Sequence, residues 1–503
     1  MTVRRRTAHQ IGFAVALTVV AKVGAFGKDV LLSLQFGAGY ETDAFFIANA
    51  IPGFVFGGIL GTIGLVFLPT FSGAVAKGEA AAADTYRTAA LVYTTLSLAV
   101  GVLTLVGAGR IVSLLAADQP QQTRDLAVLL TRIMSVGFAF SGWVGLQNAV
   151  LHANKLLVWP QLVPVLNHAF VICGLLLTAL LGGPITIVVV AAVLGWVVMA
   201  PVVSRSASTY RPTSKGNFEW GSARLLLALS IPVFLSLSLD QVSLLVGTAL
   251  AATYPEGAVS NLNYAMRLTV LLSSAFSLIV AYVLFPYLTE SLNSGRTREA
   301  RRYILQSLVA VAALSAPLLA VVLSMGESLI AFVFQRGAFS PEDTATAGRA
   351  MILLSPVIVL AGFREVLNRL FLAQYKTKAL LIFGVFGLVV NVASSIYFSG
   401  RLGVEGIALG SSLGALAYVG ANAVSTAVTQ RHLIHRDLFV WLVTILIATA
   451  CATVFGVWVS SNGVSTFTRL GFLFDVAAVI GLYIVILGAC ICTCPRLRGI
   501  LDR

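Results

Sequence analysis

The chain has 503 residues, of which 58% are hydrophobic and only 11% charged, against about a quarter charged in an ordinary soluble domain. Together with a mean hydropathy of +0.93, this excludes a disordered chain, a coiled coil, a collagen and a soluble enzyme of ordinary surface. The net charge of +13 would suggest nucleic acid in a soluble protein, but in a polytopic membrane protein Lys and Arg collect in cytoplasmic loops, and no nucleic-acid partner is expected.

Apolar runs of about 20 residues cross a bilayer as helices. Fourteen occur in chain order, at about 10–35, 44–71, 88–116, 125–151, 159–181, 184–203, 224–253, 258–288, 303–333, 345–372, 379–398, 403–429, 438–459 and 467–492. None alternates polar and apolar residues as a barrel strand would, so each reads as a helix. Arg4, Arg5 and Arg6 precede the first span, and no small-residue cleavage site follows it, so it reads as a retained helix. Every second loop is basic. Residues 4–6, Lys77 with Arg87, Lys155, the stretch 205–224, the stretch 296–302, Lys376 with Lys378, Arg431 with Arg436, and the stretch 496–503 together hold 21 Lys and Arg. A miscounted helix would scramble this alternation downstream. The pattern therefore predicts fourteen crossings with both termini cytoplasmic.

The two halves resemble each other. "GLVFLPTFSGAVAKGE" has its counterpart in "AYVLFPYLTESLNSGR", with Pro69 and Pro286 217 residues apart. "NKLLVWPQLVPVLNHAF" parallels "TKALLIFGVFGLVVNVA", with Asn167 and Asn391 224 apart. Six spans per half is an even number, so the repeats enter the membrane in the same orientation. The expected fold is an all-α polytopic membrane protein. Its 14 transmembrane helices form two six-helix lobes in parallel repeat, 1–222 and 223–435, plus two C-terminal helices in 436–503. Such lobes enclose a cavity that opens to either side by rocking, which is a transporter plan; duplication for stability alone is the other reading.

Charges inside spans are costly and therefore informative. Lys22 lies near the middle of the first span at 1.5 Å per residue, with Lys28 and Asp29 further along. Gly24 and Gly27 are expected to bend that helix. Arg267 stands near the middle of span 8, which the repeat matches to span 2. Lys22, Lys28 and Arg267 are thus candidates to meet an anion in a shared aqueous chamber. Arg would grip phosphate oxygens as a fork and Lys would act as a point charge, while Asp29 orients Lys28. Asp240 in span 7 is expected as a buried carboxylate able to carry a proton or hold a cation. Arg364, Glu365 and Arg369 read as an ion-pair network at the inner rim. "SPED" at 340–343 reads as a helix start, and Asp43 as a first-turn residue. There is no P-loop, HExxH, zinc spacing or nucleophile elbow, and Cys490, Cys492 and Cys494 do not form a metal pattern. The chain is read as a transporter with no cofactor or metal site, driven by an ion gradient, the membrane potential or its substrate's gradient.

"FGKDVLLSLQFGAGYETDAFFIANAIP", "NYAMRL", "FVFQRGAFSPEDT" and "GVEGIALGSSLGAL" resemble segments of the MurJ (MviN) family of lipid II flippases, and the resemblance extends over about residues 10–430. It implies the multidrug/oligosaccharidyl-lipid/polysaccharide exporter fold in a bacterial cytoplasmic (inner) membrane. It also implies export of an undecaprenyl-pyrophosphate-linked glycan, such as lipid II, by alternating access. The diphosphate would be held at Lys22, Lys28 and Arg267, with Asp29 beside Lys28, and the lipid tail would ride a groove formed partly by the two C-terminal helices. Asp240, Asn391 and Ser411 match a sodium site found in some members, with Ser395 in place of its second acid; coupling to Na+ or H+ stays open. The expected partners are the polyprenyl-pyrophosphate glycolipid and membrane lipids, with the protein a monomer. The family carries Arg where this chain has Lys22, Lys28 and Phe56, which leaves an exopolysaccharide or O-antigen repeat unit as an alternative cargo. A cation-coupled drug exporter is a further alternative that the basic residues disfavour, and a non-transporting scaffold is another.

Overall fold

The computed structural model describes residues 3–156, 158–279, 287–288, 290–291, 294, 296–374, 376–429, 436–462 and 469–493, and their regular secondary structure is entirely helical. Pro286 of the repeat, Arg431, Cys494, Arg496, Arg498, Arg503 and the side chain of Phe56 lie outside the described residues.

The chain divides into two compact units, Met1–Ser260 and Asn261–Arg503. The first holds α1 (Val3–Phe36), α2 (Tyr40–Thr62), α3 (Leu68–Lys77), α4 (Glu79–Leu115), α5 (Gln121–Ala153), α6 (Val158–Leu181), α7 (Thr186–Ala207), α8 (Trp220–Ala251) and the first residues of α9 (Ala258–Ile279). The second holds the rest of α9, then α10 (Thr297–Phe334), α11 (Pro341–Leu354), α12 (Pro356–Ala373), α13 (Thr377–Leu402), α14 (Val404–Thr429), α15 (Arg436–Ser461) and α16 (Arg469–Thr493).

Among the described residues, eleven helical stretches are long and apolar enough to cross a membrane. The number is twelve when the arms of α8, Trp220–Leu235 and Leu237–Ala251, bent by 44°, count as one span. The first and eighth expected spans are helices too, α1 and α9. The one carries Lys22, Lys28 and Asp29, and the other Asn261, Asn263 and Arg267.

Two expected spans are more articulated than their sequences suggest. The second is built from α2, a π-helical turn at Ile63–Phe67, and α3. The tenth is built from α11 and α12, which meet at Ser355. Pro356 has no N–H to continue the first helix's ladder but suits the first turn of the next. The helix start expected at 340–343 is present. Ser340 Oγ accepts from the Asp343 N–H at 3.1 Å, and Asp343 Oδ2 accepts from the Ser340 N–H at 3.0 Å, a capping box.

In the first unit α1 lies along α6, α2 along α5 and α8, α4 along α5, and α6 along α7. Phe67, Phe71, Tyr93, Phe138, Leu146 and Val150 form its core. In the second unit α10 packs on α11, α12, α15 and α16, and α13 on α14, around Ile304, Val366, Phe371, Trp441 and Tyr483. Small residues bring backbones close where side chains cannot. Gly142 of α5 faces the Tyr93 carbonyl of α4, and Gly410 of α14 faces Ser395 of α13; neither leaves room for a Cβ. Outward side chains such as Val106, Leu180 and Val454 are 79%, 83% and 71% exposed. In water such surfaces would aggregate; on a spanning helix they are the lipid contact.

Candidate functional site

α1 carries three of the candidate groups. It runs as one continuous helix through Gly24 and Gly27. Gly24 makes room for α6, because a Cβ there would stand 3.3 Å from that of His168. Gln35 Nε2 donates to the Leu175 carbonyl at 2.9 Å, and Thr18 Oγ1 donates to Gln161 Oε1 at 3.2 Å, which ties α1 to α6 along its length.

This docking buries the lower half of α1's polar set. Lys28 Nζ stands 2.7 Å from Asp29 Oδ1, and the two side chains are 14% and 5% exposed. A carboxylate this close to an ammonium nearly cancels the pair's net charge. Lys28 also lines a cavity of about 270 Å³ within the first unit, shared with Asn49 of α2, Asn167 of α6, and Trp196 of α7. Two amides and an indole thus lie beside the ammonium, and Asn167 Nδ2 also donates to the Ala192 carbonyl at 3.4 Å. An anionic group entering there would meet the Lys28 ammonium in a setting of amide side chains.

Lys22 lies six residues earlier, half-buried, and does not line that cavity. Lys22 and Asp29 are seven residues apart, so they share a helix face about 10 Å apart along the axis. The structure therefore brings Lys28 and Asp29 together and sets Lys22 two turns away. In the second unit Arg267 is half-buried on α9. One turn before it, Tyr264 is fully buried against Phe334 and Phe339, with ring centroids 5.0 and 5.4 Å away. This aromatic cluster fixes the rotation of α9 and hence the face on which Arg267 stands.

The candidate coupling residues fall in both units. Asp240 on α8 is exposed rather than buried. Asn391 and Ser411 sit on α13 and α14, whose seam is so close that a Cβ on Gly414 would lie 2.5 Å from that of Asn391. Ser395 Oγ donates to Asn391 Oδ1 at 3.0 Å, and Ser411 Oγ donates to the Ile407 carbonyl at 3.1 Å. Neutral amide and hydroxyl oxygens of this kind ligate a hard cation more weakly than carboxylates do. No cluster of three His, Cys, Asp or Glu residues suited to a metal ion occurs among the described residues.

The rim network is present in altered form. Glu365 and Arg369 pair, while the Arg364 guanidinium stacks over Tyr418 at 4.6 Å. Tyr418 Oη donates to Asn368 Oδ1 at 2.9 Å, and Asn422 Nδ2 donates to the same oxygen at 3.1 Å.

Sequence reasoning passed over Asn49 and Trp196, and used Asn167 only as a repeat marker. The signal available was a polar or indole side chain isolated within three different apolar runs.

Long apolar helical spans, with an ammonium of α1 lining a cavity among them, describe a polytopic membrane transporter. Solved structures share the fold. One, "Lipid II flippase MurJ, inward closed conformation", superposes with a TM-score of 0.81 at 21% identity, covering 96% of this chain and 99% of that one. Another, an inward-facing multidrug resistance MATE family transporter of the MOP superfamily, gives 0.68 at 16% identity over 84% of this chain and 98% of that one. A relative from Vibrio cholerae serotype O1, "Probable lipid II flippase MurJ", is 24% identical over 432 residues, 82% of each chain. The family profile described as "Lipid II flippase MurJ" matches residues 32–477. The chain belongs to the MurJ family of lipid II flippases, a family of transporters rather than enzymes.

Proposed function

We propose that this protein moves an undecaprenyl-pyrophosphate-linked glycan, lipid II or a related peptidoglycan precursor, from the inner to the outer leaflet of a bacterial cytoplasmic membrane. The observation that carries this reading is the Lys28–Asp29 pair at the wall of a cavity shared with Asn49, Asn167 and Trp196 in a chain of the MurJ family. The chain crosses fourteen times with both termini cytoplasmic and works as a monomer. Its repeats, 1–222 and 223–435, rock about a central path, and 436–503 guides the lipid tail. Lys28, Lys22 and Arg267 hold the diphosphate, whose oxygens match a fork and point charges, and Asp29 keeps Lys28 charged and oriented. No bond in the cargo is made or broken. Asp240, Asn391 and Ser411 are the residues through which Na+ or H+ would couple.

Lys in place of the family's Arg at 22 and 28 favours a second reading in which the cargo is an exopolysaccharide or O-antigen repeat unit. Lys replaces a two-pronged donor by a single charge and so relaxes selection for one diphosphate geometry. Proteoliposomes carrying either lipid II or a second polyprenyl-diphosphate glycan separate the two, with leaflet accessibility as the readout. Flipping of lipid II supports the first reading, flipping of the other glycan alone supports the second, and flipping of neither overturns both.

A further inference from the structure

The first unit holds a second hollow, of about 480 Å³, between α4, α5 and the segment joining α7 to α8. It shares no residue with the Lys28 cavity. Its cations are Arg87 and Lys215, its hydroxyls include Tyr86, Thr94 and Ser214, and Trp143 forms one wall. No carboxylate lines it.

Local structure explains that charge imbalance. The segment 211–219 is strapped along α4 by side chains that accept its backbone N–H groups. Glu79 Oε1 accepts from Thr213 at 3.0 Å, Asp84 Oδ1 from Asn217 at 2.5 Å, and Thr88 Oγ1 from Glu219 at 3.1 Å. Gly216 lies so close to the Ala83 carbonyl that a Cβ has no room. The two nearby carboxylates are thus committed to the strap. Arg87 and Lys215 are exposed and make no ion pair among the described residues. The Thr94 hydroxyl is buried with no hydrogen-bond partner among them.

The wall behind is rigid and positive. Trp143 Nε1 donates to Ser204 Oγ at 2.6 Å, and the Arg211 guanidinium lies 5.3 Å from the Trp143 ring centroid. Arg211 Nε donates to Gln147 Oε1 at 2.9 Å, and Gln147 Nε2 donates to Tyr86 Oη at 3.1 Å.

We propose that this hollow binds a phosphate group, with the Arg87 fork and the Lys215 ammonium on its oxygens, hydroxyls from Thr94 and Ser214 beside them, and Arg211 adding positive field. A guanidinium, an ammonium and hydroxyls converging without a competing acid are the donor set that phosphate takes. Trp143 and Tyr86 are the aromatic types enriched where membrane proteins meet lipid headgroups. The phosphate can come from an anionic phospholipid or from a soluble ion. The proposal stands apart from the identity of the transported cargo.

The test is thermal melting of the full-length protein in neutral detergent, with phosphatidylglycerol, phosphatidylcholine or inorganic pyrophosphate added. Phosphatidylglycerol is expected to raise the melting temperature, and R87Q/K215Q to weaken that response about tenfold or more. R87K should largely preserve it, and salt should reduce it. If pyrophosphate alone gives a shift that R87Q/K215Q loses, the site stands with a soluble ligand. If no ligand shifts the wild type, or if R87Q/K215Q responds like the wild type, the proposal is overturned. Should the double variant melt abnormally without ligand, K215Q on the exposed segment gives the same comparison.

Discussion

Asp43 and Ser260 lie 217 residues apart in sequence, yet one carboxylate oxygen of Asp43 accepts both the Ser260 N–H at 2.8 Å and its hydroxyl at 2.5 Å. The other oxygen accepts from the Gly257 N–H at 2.7 Å. Asp43, in the first turn of α2, thereby caps the start of α9. Glu256 returns the favour, accepting from the Tyr40 N–H at the start of α2 at 2.8 Å. The start of α9 is served by an acid of α2, and the start of α2 by an acid just before α9, which satisfies orphan N–H groups and places negative charge at both positive helix ends.

Removing the buried Asp43 leaves three donors unsatisfied. Asp43→Ala should lower stability by about 2–3 kcal/mol, Asp43→Asn by less, and Ser260→Ala by about 1 kcal/mol. Melting temperatures in detergent should fall in that order. A wild-type melting temperature for Asp43→Ala would show that the latch contributes nothing.

Lys28 and Asp29 separate a structural from a functional role. Lys28→Met strands a nearly buried carboxylate and should cost about 2 kcal/mol or more. Lys28→Met with Asp29→Asn should recover most of that stability while remaining inactive in transport, because the cavity has lost its ammonium. Recovery of both stability and transport by the double variant would reduce the pair to a packing feature.

The α13–α14 seam has no spare volume. Gly414→Ala would force a Cβ to within 2.5 Å of that of Asn391, and Gly410→Ala would collide with Ser395. Each should destabilise by about 1–3 kcal/mol. Gly420 lies on the same helix with nothing within 4 Å of an added Cβ, so Gly420→Ala should be neutral or slightly stabilising. Expression and monodispersity of the three variants, measured side by side, check this; equal behaviour would contradict the close packing.

Lys155 is exposed and adopts a φ of 61° between α5 and α6. In a background with its own cysteines replaced, Lys155→Cys should react with a membrane-impermeant maleimide only after the cytoplasmic face is opened. Labelling of intact cells from outside would invert the topology.

Most helices were legible because long apolar runs leave few alternatives in lipid. Charge alternation carried the reading through α1 and α9, whose Lys28 and Arg267 weaken the apolar signal. The breaks were harder to see. Pro356 was visible, but the π-helical turn at Ile63–Phe67 has no residue that announces it. The Lys28–Asp29 pairing was legible because the two are adjacent. Its cavity was not, since Asn49, Asn167 and Trp196 come from three helices and converge only when those helices pack. Asp43 was read as a first-turn residue, which it is, but its partners lie 214 and 217 residues away and no local pattern points to them. Asp240 looked buried because its neighbours are apolar; in a membrane helix, apolar neighbours mark lipid as readily as core.

The most direct measurement is the rate at which lipid II becomes accessible in the outer leaflet of proteoliposomes, compared between the wild type and Arg267→Ala. If cationic side chains within the spans hold the diphosphate, Arg267→Ala should lower the rate by about a hundredfold, in line with loss of a charge-assisted contact of about 2–3 kcal/mol. Flipping by Arg267→Ala at the wild-type rate would contradict that claim.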